Sequence, residues 1–219
     1  MGIRERKQRE RERRNQQIMT AARRVLTRKG FNSTTMEDIA KEAELSPGTL
    51  YLYFSGKEAL YASLSLRVLQ FMNMRLKSIA RKTDMSCRRR LALMAQAMYD
   101  VYQFDPLIVV NMSHMQSSEI LLNLSEEVLE QIKALSRATT GAVAGLISEG
   151  IEKGVFVDRN PTALADIFWA IFSGLVLWEE SKKRLNSRKD FLKDTLELAY
   201  RIFIKGIEKH AWPGYPPQA

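Results

Sequence analysis

The sequence contains few of the residues from which reactive centres are built. Its 219 residues include one cysteine, Cys87, and two histidines, His114 and His210. A single cysteine excludes an intramolecular disulfide and a cysteine-based zinc site. The motifs H-E-x-x-H and G-x-S-x-G and a phosphate-binding glycine loop are also absent, which leaves two distant histidines for acid–base chemistry. The sequence therefore gives no support for an enzyme, and we expect neither cofactor nor metal.

Long apolar segments are also missing. The longest runs from Ile167 to Trp178 and is interrupted by Ser173 and Gly174, whereas a membrane-spanning helix needs about 20 apolar residues. The charged N-terminus lacks the apolar core and cleavage site of a secretory signal. We therefore expect a core helix at this segment, no membrane partner and a cytoplasmic location.

Acidic residues are scarce at the start of the chain. The net charge is +9, and residues 1–29 hold eleven lysines and arginines against three glutamates, so nearly all of the excess lies there. Such a basic arm fits the phosphates of nucleic acid when it adjoins a DNA-reading motif. By itself the arm fits a solvated tail equally well.

Helical periodicity is present throughout, and strand-like alternation does not persist. The residues from Ile18 to Leu26 show the spacing of an amphipathic helix, which we expect to extend upstream into the basic arm and to end at Gly30 in a left-handed conformation. Capping residues and further apolar stripes predict helices over residues 36–43, 47–53, 56–82, 87–104, 106–121, 126–153, 161–184 and 188–210. The sequence is therefore expected to be all-α.

The segment from Thr35 to Tyr53 predicts two short helices that meet at a tight turn. Thr35 and Ser46 are suited to cap the two helices. The buried face consists of Met36, Ile39, Ala40, Ala43 and Leu50, and the outward residues are Pro47, Gly48, Thr49, Tyr51 and Tyr53. Threonine and a bare glycine backbone suit base edges in the major groove, and tyrosine hydroxyls suit phosphates. The alternative is a helix pair inside an ordinary bundle, although two tyrosines so close together cannot both face inward.

The region from Ile18 to about Leu60 resembles the DNA-binding domain of the TetR family of bacterial regulators. The resemblance rests on Ala21-Ala22, Gly30-Phe31-x-x-Thr34-Thr35, Ile39-Ala40-x-x-Ala43 and Gly48-x-Leu50-Tyr51-x-Tyr53-Phe54-x-x-Lys57-x-x-Leu60. It implies DNA contacts by Thr35, Ser46, Pro47, Gly48, Thr49, Tyr51 and Tyr53, and a phosphate contact by Lys57. It also implies an N-terminal three-helix helix-turn-helix domain, joined to a larger helical ligand-binding and dimerisation domain. We place these domains at residues 1–55 and 56–212, followed by an irregular tail at 213–219.

The last two predicted helices are more apolar than one neighbour can cover. Helix 161–184 is apolar on nearly all sides, and helix 188–210 carries a wide apolar stripe. Pairing both with their symmetry mates in a four-helix bundle would bury these surfaces in an isologous interface. The family resemblance implies the same homodimer, in which two recognition helices about 34–36 Å apart would read the halves of a palindromic operator.

The sequence also offers candidate residues for a ligand pocket. Candidate lining residues are the methionine and aromatic set Phe71, Met72, Met94, Met98, Tyr102, His114, Met115, Phe168 and Phe172. This set fits an ordinary core as well as it fits a pocket, and His114 fits a surface or hydrogen-bonded role. A pocket of this composition would take a hydrophobic or aromatic effector.

We therefore expect a repressor of double-stranded operator DNA that a small-molecule effector releases through the long helix 56–82. Activation is the alternative output. A ligand-independent DNA-organising protein, held on DNA by the basic arm, is the rival function; it would bind with steep salt dependence and little sequence preference.

Overall fold

The computed structural model describes residues 2–115, 124–184 and 191–209. Within these ranges the chain is helical, and its one β-type pairing is an isolated bridge between Phe156 and Glu208. The described helices are α1 (Ile3–Lys29), α2 (Met36–Glu42), α3 (Pro47–Tyr51), α4 (Lys57–Ala80), α5 (Cys87–Phe104), α6 (Pro106–Met115), α7 (Glu126–Glu152), α8 (Pro161–Arg184) and α9 (Leu192–Gly206). The predicted all-α fold is confirmed. The end of the predicted helix 106–121, the start of 188–210 and the tail 213–219 lie outside the described residues.

The chain divides into two compact units. The first contains the residues up to Ser65, and the second contains most of the chain from Leu66 onward. Because α4 spans Lys57–Ala80, it contributes residues to both units.

The first helix begins within the basic arm and ends at Gly30, as predicted. Ile18 and Ala22 on its buried face are 0% exposed. The expected left-handed conformation of Gly30 is only half correct, since its φ is +74° but its ψ is 169°. This combination is readily accessible to glycine alone, and it directs the chain away from the helix in an extended path. Phe31, the next residue, then packs edge-on against Tyr61, with 5.1 Å between the ring centroids.

The turn between α2 and α3 is a Schellman motif that lacks the usual glycine. The N–H of Leu45 donates to the carbonyl of Ala40 at 2.9 Å, and the N–H of Glu44 donates to that of Lys41 at 3.2 Å. These two bonds satisfy the last carbonyls of α2 and require a positive φ at the residue that follows the helix end. Glu44 holds that position with φ 55°. Glu44 is therefore a non-glycine residue held at a strained positive φ, three positions before α3 begins.

In the second unit α9 packs against both α5 and α8, and α6 packs against α5 and α8. Gly150 of α7 permits close approach, because a Cβ there would lie 2.2 Å from the Phe156 ring. The Arg90 side chain, 1% exposed, forms an ion pair with Glu149 and donates to the Ala80 carbonyl at 2.9 Å. A buried charge is therefore paired rather than left alone.

Among the described residues, α8 alone is long and apolar enough to pass as a membrane span, over Pro161–Lys183 with a mean hydropathy of 1.5. The core helix of a soluble protein passes the same test, so this is weak evidence for a membrane. Only 28% of the window is buried, and Ile167 and Trp178 are 48% and 63% exposed. α8 is therefore buried on one face, as expected of a core helix, but its other face is exposed in the single chain.

Candidate functional site

The outward surface of α3 is open to solvent, as the sequence predicts. Leu50 is 0% exposed and anchors the helix, whereas Tyr51 is 50% exposed. Pro47 and Gly48 are exposed, and Thr49 and Tyr53 are half-buried. The interpretation of both tyrosines as core aromatics is therefore wrong. The surface carries hydroxyls and a glycine backbone but no charged side chain, so it is suited to contact base edges in the major groove through hydrogen bonds and apolar contacts.

Ser46 holds this short helix in place. Its Oγ accepts a hydrogen bond from the backbone N–H of Thr49 at 3.1 Å, and the Ser46 and Thr49 hydroxyls lie 2.8 Å apart. Pro47 occupies the first helical turn, where its missing N–H costs nothing. A five-residue helix has too few internal hydrogen bonds to persist alone, so its N-terminus depends on this cap.

Thr35 caps α2 in the same way. Its Oγ1 accepts from the N–H of Asp38 at 3.1 Å, while the Asp38 carboxylate accepts from the N–H of Thr35 at 3.2 Å. This capping box confirms the predicted helix start. Thr35 is exposed, and its predicted contact with DNA stays a prediction.

The acidic residues of α2 are largely neutralised by α1. Lys29 lies 2.6 Å from the Asp38 carboxylate and Arg28 lies 2.5 Å from that of Glu42. The hydrogen bond from Lys29 lowers the pKa of Asp38, and that from Arg28 lowers the pKa of Glu42. Both carboxylates therefore remain ionised but paired, which reduces their repulsion of a nearby phosphate backbone.

Lys57 has protein partners that the sequence did not indicate. Its Nζ lies 3.4 Å from the carbonyls of Phe31 and Asn32, 3.3 Å from that of Thr34, and 4.9 Å from the centre of the Phe31 ring. In the unbound protein this ammonium group therefore stabilises the loop between α1 and α2. Its phosphate contact stays a prediction.

Sequence reasoning missed Leu52, which directly follows α3. It is 78% exposed and lies between the two candidate tyrosines. An apolar side chain at this position is suited to contact a thymine methyl group. The sequence could have indicated this exposure. Leu52 is two residues after the buried Leu50, and residues two positions apart lie on different sides of a helix.

The second unit contains a cavity of about 270 Å³ among α4, α6, α7 and α8. Its lining is mostly apolar or hydroxylated, and Asp166 is its one charged residue: Val68, Leu69, Met72, Val109, Met112, Ser136, Thr139, Thr140, Asp166, Trp169, Phe172, Ser173 and Val176. The indole Nε1 of Trp169 is buried and has no hydrogen-bond partner among the described residues. The mostly apolar lining of the cavity fits an apolar molecule.

Two of the predicted pocket residues, Met72 and Phe172, line this cavity. Met94, Met98 and Phe168 are 0% exposed and do not line it. Tyr102 is buried and donates to Glu180 at 3.3 Å, and Phe71 stacks on Phe104 with 4.4 Å between ring centres. The side chains of His114 and Met115 lie outside the described residues. Periodicity on single helices thus located apolar faces but not the cavity between them.

A metal centre finds no support in the described part of the chain, where no group of three or more histidine, cysteine, aspartate or glutamate side chains could hold an ion. Cys87 is buried and unoxidised. The α3 surface is thus a candidate site for a nucleic acid, and the cavity that Met72 and Phe172 line is a candidate site for a small molecule.

Residues 18–64 match the model of the family described as "Bacterial regulatory proteins, tetR family". Along most of its length the chain is similar to the fatty acid metabolism regulator protein of Bacillus subtilis, at 25% identity over 87% of this chain and 94% of that one. The transcriptional regulator UidR of Escherichia coli is 44% identical over 50 residues, which cover 23% of this chain and 26% of UidR.

Solved structures of regulators share the fold. The TetR-family regulator PfmR from Thermus thermophilus has a TM-score of 0.71 at 18% identity and covers 86% of this chain and 97% of its own. FadR from Bacillus subtilis, solved in complex with stearoyl-CoA, has a TM-score of 0.69 at 20% identity and covers 88% and 98%. The match of residues 18–64 to the family model shows that this chain contains a DNA-binding domain of the TetR family of bacterial regulators, and most of the chain's length is similar to such regulators.

Proposed function

We propose that this regulator is a repressor that binds a palindromic operator as a homodimer and is released by a hydrophobic or aromatic small molecule. The observation that carries the proposal is the uncharged, solvent-exposed outer surface formed by α3, with Tyr51, and by Leu52 directly after it. A helix whose base-facing side carries hydroxyl and methyl groups gains affinity from base contacts rather than from charge alone. Sequence-specific binding is therefore the expected mode.

The homodimer is supported by the apolar surface that α8 and α9 leave uncovered in the single chain. Ile167 and Trp178 of α8, together with Leu198 and Ile202 of α9, are 48% to 64% exposed. Large apolar side chains clustered on two packed helices mark an association surface. A two-fold arrangement would bury both helices twice and present two copies of α3 to the two halves of a palindrome.

The effector site is proposed to be the cavity lined by Met72, Trp169 and Phe172. Its size and mostly apolar lining fit a small apolar or aromatic molecule. Displacement of Nile red by candidate compounds, measured on the wild type and on the cavity-filling variant Ser173→Phe, tests this site. We expect the variant to lose dye binding but to keep its affinity for DNA.

The two functions are proposed to communicate through α4, since this helix contributes residues to both units. A ligand that prefers the conformation with poor operator affinity must weaken DNA binding by the same free energy that DNA binding costs the ligand, typically about 1–3 kcal/mol. Release of the operator by the ligand is therefore the expected output, and the protein is proposed to act in the cytoplasm.

The test of DNA recognition is selection of bound sequences from random double-stranded DNA. We expect one palindromic consensus with half-sites about one helical turn apart. The variant Tyr51→Ala, with an intact fold by circular dichroism, is the control and should yield no consensus. Recovery of unrelated sequences by the wild type would contradict the proposal.

A ligand-independent DNA organiser is the second candidate, which the basic arm favours. Such a protein would bind random and operator DNA alike, with an affinity that falls steeply as salt rises. Discrimination between the two DNAs that survives at 200 mM salt would exclude it.

A further inference from the structure

Within α1, the segment from Arg4 to Gln17 has no apolar side chain to pack. The residues from Arg4 to Gln17 are all charged or amide side chains, and nearly all of them are exposed. Without an apolar face this segment can neither enter a membrane surface nor pair as a coiled coil. Its remaining use is electrostatic.

The acidic residues of this segment have partners. Glu10 pairs with Arg13 at 2.9 Å and with Arg14 at 3.8 Å. Glu12 accepts from the Gln8 amide at 2.8 Å, and Glu5 accepts from the backbone N–H of residue 2 at 3.2 Å. The hydrogen bond from Arg13 lowers the pKa of Glu10. The carboxylates are thus engaged locally with neighbours on the same helix.

Three cations of the segment, Arg4, Lys7 and Arg11, are exposed and have no partner among the described residues. Their spacing of three and four residues places them on one side of the helix. We call this set the cationic stripe. Seven residues after Arg11 the same side reaches Ile18, which is 0% exposed. The stripe therefore continues the face with which α1 packs onto its own domain.

The helix α1 leaves the domain near the start of α3. The Gln17 amide donates to the carbonyl of Ala43 at 2.7 Å, at the end of α2. Ser46, which caps α3, follows three residues later. The cationic stripe therefore extends beyond the domain from a point near the N-terminus of α3, the candidate recognition helix.

We propose that the cationic stripe binds backbone phosphates of operator DNA outside the base pairs that α3 contacts, an inference that rests on the proposed DNA-binding function. The thirteen-residue step from Arg4 to Gln17 spans about 20 Å of helix at ~1.5 Å per residue. That length corresponds to about six base pairs. Because the arm is helical, the three cations are held at fixed intervals. The arm therefore loses less backbone conformational entropy on binding than a flexible tail would.

The experiment compares two triple variants of the full chain that remove the same charge. Arg4→Gln/Lys7→Gln/Arg11→Gln removes the stripe, and the control Arg6→Gln/Arg9→Gln/Arg13→Gln removes three cations from the opposite side of the helix. Operator and random DNA are titrated at several salt concentrations, and circular dichroism checks that helix content is unchanged. The operator is the palindrome obtained by selection.

We expect loss of the stripe to lower the slope of log Kd against log salt by about 5.4, since the proposed dimer carries the three cations twice and each phosphate contact contributes ~0.9. Between about 50 and 200 mM salt the affinity would then change by about 2,000-fold less than in the wild type. The control should lower the slope by less than one. A hydroxyl-radical footprint should shorten by about six base pairs on each side with the stripe variant alone.

If the two variants lower the salt slope and shorten the footprint equally, the arm binds DNA through its total charge. The proposal that the cationic stripe makes the phosphate contacts would then be wrong. An unchanged slope and footprint would overturn any role of the arm in binding. In both cases a wild type that still selects a palindrome leaves the proposed function standing, whereas a wild type that selects none refutes that function separately.

Discussion

Truncation of two exposed side chains on α9 should dissociate the proposed dimer. Leu198 and Ile202 are 55% and 64% exposed in the single chain. Complete burial of an aliphatic side chain contributes about 2 kcal/mol, so covering these exposed fractions is worth slightly more than 1 kcal/mol each. Alanine retains about a third of that area. The double variant Leu198→Ala/Ile202→Ala should therefore lose about 1.5 kcal/mol per protomer, on the ~2 kcal/mol scale above.

An isologous interface contains each side chain twice, which doubles the loss to about 3 kcal/mol and raises the dimer dissociation constant about 100-fold. Sedimentation velocity over a dilution series measures this constant. The matched control is Met74→Ala on α4, where a residue with 58% exposure lies outside α8 and α9. If both variants sediment as the wild type does at every concentration, the interface is elsewhere and the assignment of α8 and α9 is refuted.

Substitutions at four further residues test the site and the contacts that support the fold. Tyr51→Ala should weaken operator binding about 10-fold or more with the dimer intact, and Leu52→Ala should relax the base preference at one operator position; quantitative binding to operator variants measures both. Glu44→Gly should stabilise the protein by about 1 kcal/mol in thermal unfolding, because glycine relieves the positive φ, whereas Glu44→Ala should not. Hydrogen bonds from Arg90 and Lys153 lower the pKa of Glu149 to about 2, so its contribution to stability is full above pH ~4.5 and is lost as the pH falls toward 2. Glu149→Gln should flatten the urea-unfolding profile in that window, and an unchanged profile would contradict the pairing.

Local chemistry was sufficient to predict the helices and the outward orientation of the candidate recognition surface. Thr35 and Ser46 begin helices because their oxygens satisfy backbone N–H groups within three residues, which the sequence alone determines. The outward position of Tyr51 follows from the helical period once buried Leu50 is recognised. Both features depend on neighbours in the chain, and both are confirmed.

Features set by distant residues could not be predicted in this way. Lys57 stabilises carbonyls that lie 23 to 26 positions earlier, and no periodicity indicates that arrangement. Glu44 occupies a position where turn chemistry favours glycine or asparagine, so the positive φ was not expected. The methionines of α5 were reasonable pocket candidates by composition, but whether a buried methionine faces a cavity or fills the core depends on how several helices meet.

Two separate roles account for the apolar residues on nearly all sides of α8. One side, with Trp169 and Phe172, lines the cavity, while another, with Ile167 and Trp178, is left uncovered by the chain itself. A helix that lines a cavity with one apolar face and contacts a partner with another can be as apolar as a membrane-spanning helix. Because the cavity and the proposed dimer surface share this one helix, a ligand that shifts Trp169 would also act on the partner contact of Trp178, since packed helices move as stiff bodies.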